Sequence, residues 1–253
     1  MISIDRSALV TPSDLADGAI DEFPQLARKA AAGTIGSADF KTTLYSSEEV
    51  RVRLWNSQHH KCCFCEQKLE WRFATVEHFR PKTSVRRADG RRLKPGYWWL
   101  AYELDNLYFA CSNCNSPKSD WFPLEAGASP LAEGELPGSR DEKPLVLDPG
   151  RDIPEDHLVF IASPAGGFQI APLEGSDRGA ETVRRLDLDR DALSDLRNEY
   201  AREDLLPLVE RFRGAIASRD VAAERVAREE ARARTGRDRR FSLLARAVLA
   251  ELL

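Results

Sequence analysis

Nowhere in the 253 residues does a run of about eighteen apolar side chains occur, so no membrane-spanning helix is expected. The opening residues, Met1 to Asp14, also lack a basic segment leading into an apolar one. That argues against a secretion signal and for a cytoplasmic protein. Excess positive charge is missing as well: 37 Lys and Arg stand against 41 Asp and Glu, a formal net charge of -4 with a pI near 5.7. A protein that coats nucleic acid by bulk charge is thereby excluded, and any basic surface has to be local. Internal repeats and sustained heptads are absent, which argues against a solenoid or a coiled coil. Cysteine is scarce, at five, and an odd count in a reducing compartment does not make a disulfide framework.

Four of those cysteines form two CxxC pairs, Cys62/Cys65 and Cys111/Cys114. This is the usual supply of four tetrahedral thiolates for a structural zinc ion. Cys63 is read as packing. A closed zinc site has no use for Glu77, His78, Asp105, Asn106 and Asn115, which lie between and just after the pairs. A local basic run starts directly after His78, with Arg80, Lys82, Arg86, Arg87, Arg91, Arg92 and Lys94, and only Asp89 interrupts it. Such runs are commonly solvated surface; here the position favours phosphate contact.

The pattern of elements predicts an α+β protein. An N-terminal lead-in (1–45) carries a helix around Phe23 to Ala32. A core (46–125) opens with a helix capped by Ser46 with Glu49. Strands are expected at Thr75 to Phe79 and Leu107 to Ala110, and a helix at Cys114 to Lys118. A loop-rich accessory segment (126–179) offers a hairpin from Leu158–Ile161 and Gly167–Ile170. A helical region (180–253) follows, in which Glu224 to Arg240 reads as a solvated helix or a connector. Trp98, Trp99 and Tyr102 read as core rather than as base-stacking residues, and His59, His60 and His157 as structural.

Phosphodiester hydrolysis needs a base for the attacking water and a divalent cation for the charge that builds on the phosphate. His78 fits the base, because an imidazole can take up and return a proton near neutral pH. Glu77 and Asn115 offer a carboxylate and an amide oxygen to a hard cation such as Mg²⁺ or Mn²⁺. Neighbours on a strand point to opposite faces, so Glu77 and His78 share a site only if the strand ends or bends there. Asn106 can bond backbone on both sides of the His-bearing strand. Lys118, one helical turn after Asn115, can hold phosphate, with Arg80, Lys82, Arg91 and Arg92 as further contacts.

Cys62-x-x-Cys65, Glu77-His78-Phe79-Arg80-Pro81-Lys82, Gly96-Tyr97-Trp98-Trp99-Leu100-Ala101-Tyr102, Asp105-Asn106-Leu107 and Cys111-x-x-Cys114-Asn115-x-x-Lys118 together resemble the HNH endonucleases of the ββα-metal fold. Within these, the chain is most similar to the PtuB-like nucleases of Septu and certain retron antiphage systems. Pro144 to Pro149 and Arg178 to Val183 resemble later segments of that subfamily. The resemblance implies a zinc-stapled nuclease with His78 as general base, Asn106 as the central Asn and Asn115 in the third, metal-binding position. It also implies an ABC or SMC-like ATPase as partner, with the helices from Ala180 as a candidate docking surface. Asn115 departs from the His often found there, and Glu77 stands where many members have Asp or His, one carbon longer than Asp. DNA is the favoured substrate. An RNA (tRNA)-cleaving nuclease of the same fold and a noncatalytic zinc module that binds nucleic acid or protein are the alternatives.

Overall fold

A computed structural model describes all residues except Ile2 and Ala165. Its centre is an antiparallel two-stranded ribbon. The first helices are α1 (Ser13–Ala31), α2 (Thr42–Tyr45) and α3 (Glu48–Ser57). The ribbon then pairs β1 (Ala74–His78) with a later strand, β4 (Leu107–Cys111), in a register that sets Ala74 opposite Cys111 and His78 opposite Leu107. Between them, β2 (Val85–Arg86) and β3 (Arg92–Leu93) form a small hairpin that the sequence did not signal. Helix α4 (Ser112–Lys118) follows β4 directly and packs back on both strands of the ribbon.

All five residues of β4 are buried, and strand alternation sends them to two cores. Tyr108 and Ala110 enter a cluster with Cys62, Cys65, Phe79, Leu186, Leu205 and Leu244. Leu107 and Phe109 face a second cluster with Leu15, Leu26, Val50, Leu54, Trp98 and Tyr102. Burying each such Leu or Phe contributes roughly 1.5–3 kcal/mol, so the ribbon is fixed from both sides. Trp98 and Tyr102 are core, as the sequence implies, and Trp99 is half-buried.

Helix α1 starts ten residues before the expected Phe23. Its buried face of Leu15, Ala19, Glu22, Leu26 and Ala30 includes a charged member, which hides the apolar period in the sequence. The α3 cap is Ser47, whose Oγ accepts from Val50 N, in place of Ser46; Glu49 pairs with Arg53 on the exposed face.

The second half adds the hairpin β5 (Leu158–Ala162) with β6 (Phe168–Pro172) and the helices α5 (Asp177–Leu186), α6 (Asp191–Tyr200), α7 (Leu206–Ser218), α8 (Val221–Arg234) and α9 (Ser242–Val248). A π-helical turn, Ala201–Leu205, joins α6 to α7 just before Pro207, which has no N–H to continue the ladder. Helix α8 covers most of the charged 224–240 stretch and buries Ala227 and Ala231 against α7. Segments 144–149 and 178–183 clamp each other. Arg178 holds Asp152 and the Pro144 carbonyl, and Thr182 Oγ1 accepts from Leu147 N at 2.9 Å. A Cβ on Gly179 would run into the His157 carbonyl.

Candidate active site

The four cysteines, candidate zinc ligands, are brought together by ties between the first knuckle and β4. Gln58, at the end of α3, accepts from Phe109 N and donates to Phe109 O, both at 2.8 Å, and so ties the knuckle loop to β4. Cys63 N donates to the same carbonyl at 3.1 Å. The sulfurs of Cys62, Cys65, Cys111 and Cys114 then lie within 4.8 Å of one another. A tetrahedron of Zn–S bonds of about 2.3 Å has edges of about 3.8 Å, and Cys65 Sγ is 3.8 Å from Cys111 Sγ. The site therefore fits zinc. Burial pushes the Cys62 thiol well up, whereas hydrogen bonds from Cys111 and Cys114 hold Cys65 well down. Four sulfurs this close do not all ionise without a cation among them.

Arg190, between α5 and α6, places Nη1 and Nη2 at 3.7 and 3.8 Å from Cys114 Sγ. Arg197 is buried behind it and donates to the Leu188 carbonyl at 2.5 Å. The helices after Ala180 thus close over the knuckle and share its core. Nothing in the charged Asp189-Arg190-Asp191 stretch marks Arg190 as a partner of sulfur.

At the other end of the ribbon β1 stops at His78, and Glu77, opposite Tyr108, and His78, opposite Leu107, leave the strand on different faces. Lys118 Nζ reaches both Glu77 Oε1 at 2.5 Å and the His78 carbonyl at 3.2 Å. The His78 ring is anchored through Nε2 to the Ala101 carbonyl at 2.9 Å. A carbonyl only accepts, so Nε2 carries the proton and Nδ1 keeps its lone pair. Lys82 Nζ lies 3.4 Å from that Nδ1. Burial, the Lys82 charge and Lys118 push the imidazole pKa well below its ordinary value, against the Ala101 hydrogen bond; His78 is neutral at cellular pH.

Asn106, fully buried, spans the strand end as its type suggests. Its Oδ1 accepts from Arg80 N at 2.8 Å, and Nδ2 donates to the carbonyls of Arg80 at 3.0 Å and Leu100 at 3.1 Å. Asn115 donates from Nδ2 to Thr75 Oγ1 at 3.1 Å. Among the described residues, neither Asn115 Oδ1 nor Glu77 Oε2 has a hydrogen-bond partner, so a carboxylate and an amide oxygen remain for a hard cation.

The expected phosphate contacts divide. Lys118 is fully buried on Glu77, and Arg80 lies between Glu142 and Asp148, with Nε 2.7 Å from Glu142 Oε2. Both point inward because buried carboxylates claim them. Arg91 and Arg92 are exposed, paired with Asp89 and Asp120. Lys82 is largely enclosed, its Nζ 4.9 Å from the Tyr45 ring centroid and 5.5 Å from that of Phe40; burial holds its pKa below the ordinary value.

Sequence reasoning missed Tyr45. Its ring packs edge-on against the His78 imidazole at 4.7 Å between centroids, and His78 is 6% exposed beneath it. No pattern around Tyr45 announces that contact.

The chain is 32% identical to the Septu protein PtuB of Bacillus mycoides (strain KBAB4) over 209 residues, 80% of this chain and 68% of that protein. It is 28% identical to the Septu protein PtuA of the same organism over 144 residues, 56% of this chain but only 19% of that protein. No family model matches the sequence. No solved structure matches it either.

Proposed function

The chain belongs to the PtuB family of Septu proteins, and from that premise we propose that it is a metal-dependent HNH endonuclease, the effector of an antiphage defence system that acts with a partner ATPase. The observation that carries this reading is the His78 imidazole: neutral, anchored through Nε2–H on the Ala101 carbonyl, with the Nδ1 lone pair facing the Lys82 ammonium.

In this reading zinc on Cys62, Cys65, Cys111 and Cys114 supplies folding free energy and no chemistry. Glu77 and Asn115 would hold Mg²⁺ or Mn²⁺, which when bound neutralises charge on the phosphate and the departing 3′-oxygen. His78 takes the proton of the attacking water at Nδ1, and the Ala101 carbonyl keeps the ring oriented as it becomes an imidazolium. Asn106 holds the backbone on either side of Arg80 so that the ring does not drift. The Lys82 ammonium, beside Nδ1, is placed to meet a phosphate oxygen. The products are a 5′-phosphate and a 3′-hydroxyl.

The test is Mg²⁺- or Mn²⁺-dependent cleavage of plasmid DNA, single-stranded DNA and total tRNA, with and without the co-encoded ATPase. His78→Ala is expected to retain zinc and to lose about a hundredfold or more of the activity. Equal cleavage by wild type and variant, or none by zinc-loaded wild type under any condition, sinks the reading and leaves a zinc module that binds without catalysing.

A further inference from the structure

Among the described residues, the large aromatic side chains left exposed are Trp71 and Phe73, at 36% and 61%. Both lie in the 3₁₀ turn Trp71–Phe73 that runs straight into β1. At about 3.3 Å per residue, five residues of extended chain put Phe73 about 16 Å from His78. The turn is stiff. Arg51 donates to the Trp71 carbonyl at 2.8 Å and the Ala74 carbonyl at 3.2 Å, and the Trp71 ring leans on Trp55 and Phe109. Arg72 sets its guanidinium 4.6 Å from the Phe73 ring centroid.

Deepening the nuclease reading, and resting on it, we propose that Trp71, Arg72 and Phe73 form a shelf that stacks unpaired nucleobases, so that the substrate is nucleic acid with a single-stranded segment a few nucleotides from the scissile phosphate. A flat ring at water's edge with a guanidinium over one face offers a base both a stacking surface and a cation, and the next phosphate a charge partner. Bases inside a duplex are already stacked and do not use such a surface. The charges at the turn favour a polyanion over an apolar protein face: Arg51 and Arg72 against Glu70. The Arg72–Glu70 pair, 3.0 Å apart with both side chains at least 66% exposed, is weak and readily exchanged for phosphate.

Fluorescence anisotropy on the full zinc-loaded chain, with magnesium withheld so that nothing is cut, reads binding of single-stranded DNA, single-stranded RNA and duplex DNA. Phe73→Ala is expected to weaken single-strand binding by about tenfold or more and duplex binding by less than about twofold. Phe73→Trp is expected to restore it. Loss on either single-stranded probe with the duplex spared supports the shelf, and the probe that suffers more identifies which nucleic acid it serves. Equal loss on all three probes, or no loss, overturns it. Lost association with the co-encoded Septu ATPase while oligonucleotide binding stays unchanged also overturns it, because the surface is then a protein interface. Cleavage by the same preparations with magnesium restored separates the two levels of the argument. Wild type that cleaves while Phe73→Ala binds unchanged removes only the shelf, whereas wild type that neither binds nor cleaves removes the nuclease reading with it.

Discussion

The two ends of the β1–β4 ribbon lie four residues apart in register and hold opposite kinds of chemistry. At the Ala74/Cys111 end, four sulfurs gather in a pocket that distant helices close over, with Arg190 on Cys114. At the His78/Leu107 end, the His78 ring is held on the Ala101 carbonyl, Lys118 on Glu77 and the His78 carbonyl, and Asn106 on the backbone of Arg80 and Leu100. In the proposed reading soft thiolates take zinc and hard oxygens magnesium or manganese, and about 13 Å of strand separates the two ends. Damage at the first is expected to remove the fold, and damage at the second only the reaction.

Cys111→Ser cuts deepest into that contrast. Structural zinc contributes on the order of 10–16 kcal/mol, so the variant is expected to be insoluble or zinc-free by metal analysis, while His78→Ala keeps its zinc and a cooperative melt. Equal collapse of both would erase the distinction.

Acid probes the same side of the comparison more gently. Burial opposes ionisation of Glu66, but the Met1 amine and Lys61 outweigh it and hold its carboxyl at about 2. Because its folded pKa is depressed, its contribution, about 3 kcal/mol, is fully present above pH 4.5 and is lost as pH falls towards 2. Denaturant titrations of wild type and Glu66→Gln are expected to differ at pH 7 and to converge in that window. A constant gap down to pH 2 would detach Glu66 from the stability of the knuckle.

Arg190→Ala sharpens the claim that remote helices support the metal. Zinc affinity, read by competition with a chromogenic chelator, is expected to fall about tenfold with the fold intact. The smallest effect belongs to the exposed hairpin. Neutralising Arg91 and Arg92 together is expected to lower the salt slope of nucleic-acid binding by about one to two units, since both guanidinium groups are at least half exposed. An unchanged slope returns β2–β3 to ordinary solvated surface.

What could be read from the chain follows the distance over which each residue finds its partners. The cysteine pairs, the Asp105-Asn106 turn and the strands around His78 are set by neighbours within a few positions, and their places follow from spacing. Arg80 and Lys118 look like phosphate ligands in sequence, because nothing nearby reveals Glu142, 62 residues on, or Glu77, 41 residues back, as the carboxylates that draw them inward. Tyr45 against His78 and Arg190 against Cys114 are long-range packing events of the same kind. The start of α1 was hidden by Glu22, a charged residue on its buried face.

The tie between Glu66 and α9 has a consequence for synthesis. Glu66 accepts from the backbone N–H of Ser242, 176 residues later, at 2.8 Å, beside Lys61 and one residue beyond Cys65. On the ribosome, a nascent chain that has passed Lys118 already carries every side chain named in the proposed reaction. Its knuckle, however, still lacks Arg190, Arg197 and the apolar cover of α9. Ribosomes that stall or abort between these points release fragments whose sulfur end is uncovered and open to proteolysis. A chain of this kind is completed late, when its last helices return to its first cysteines.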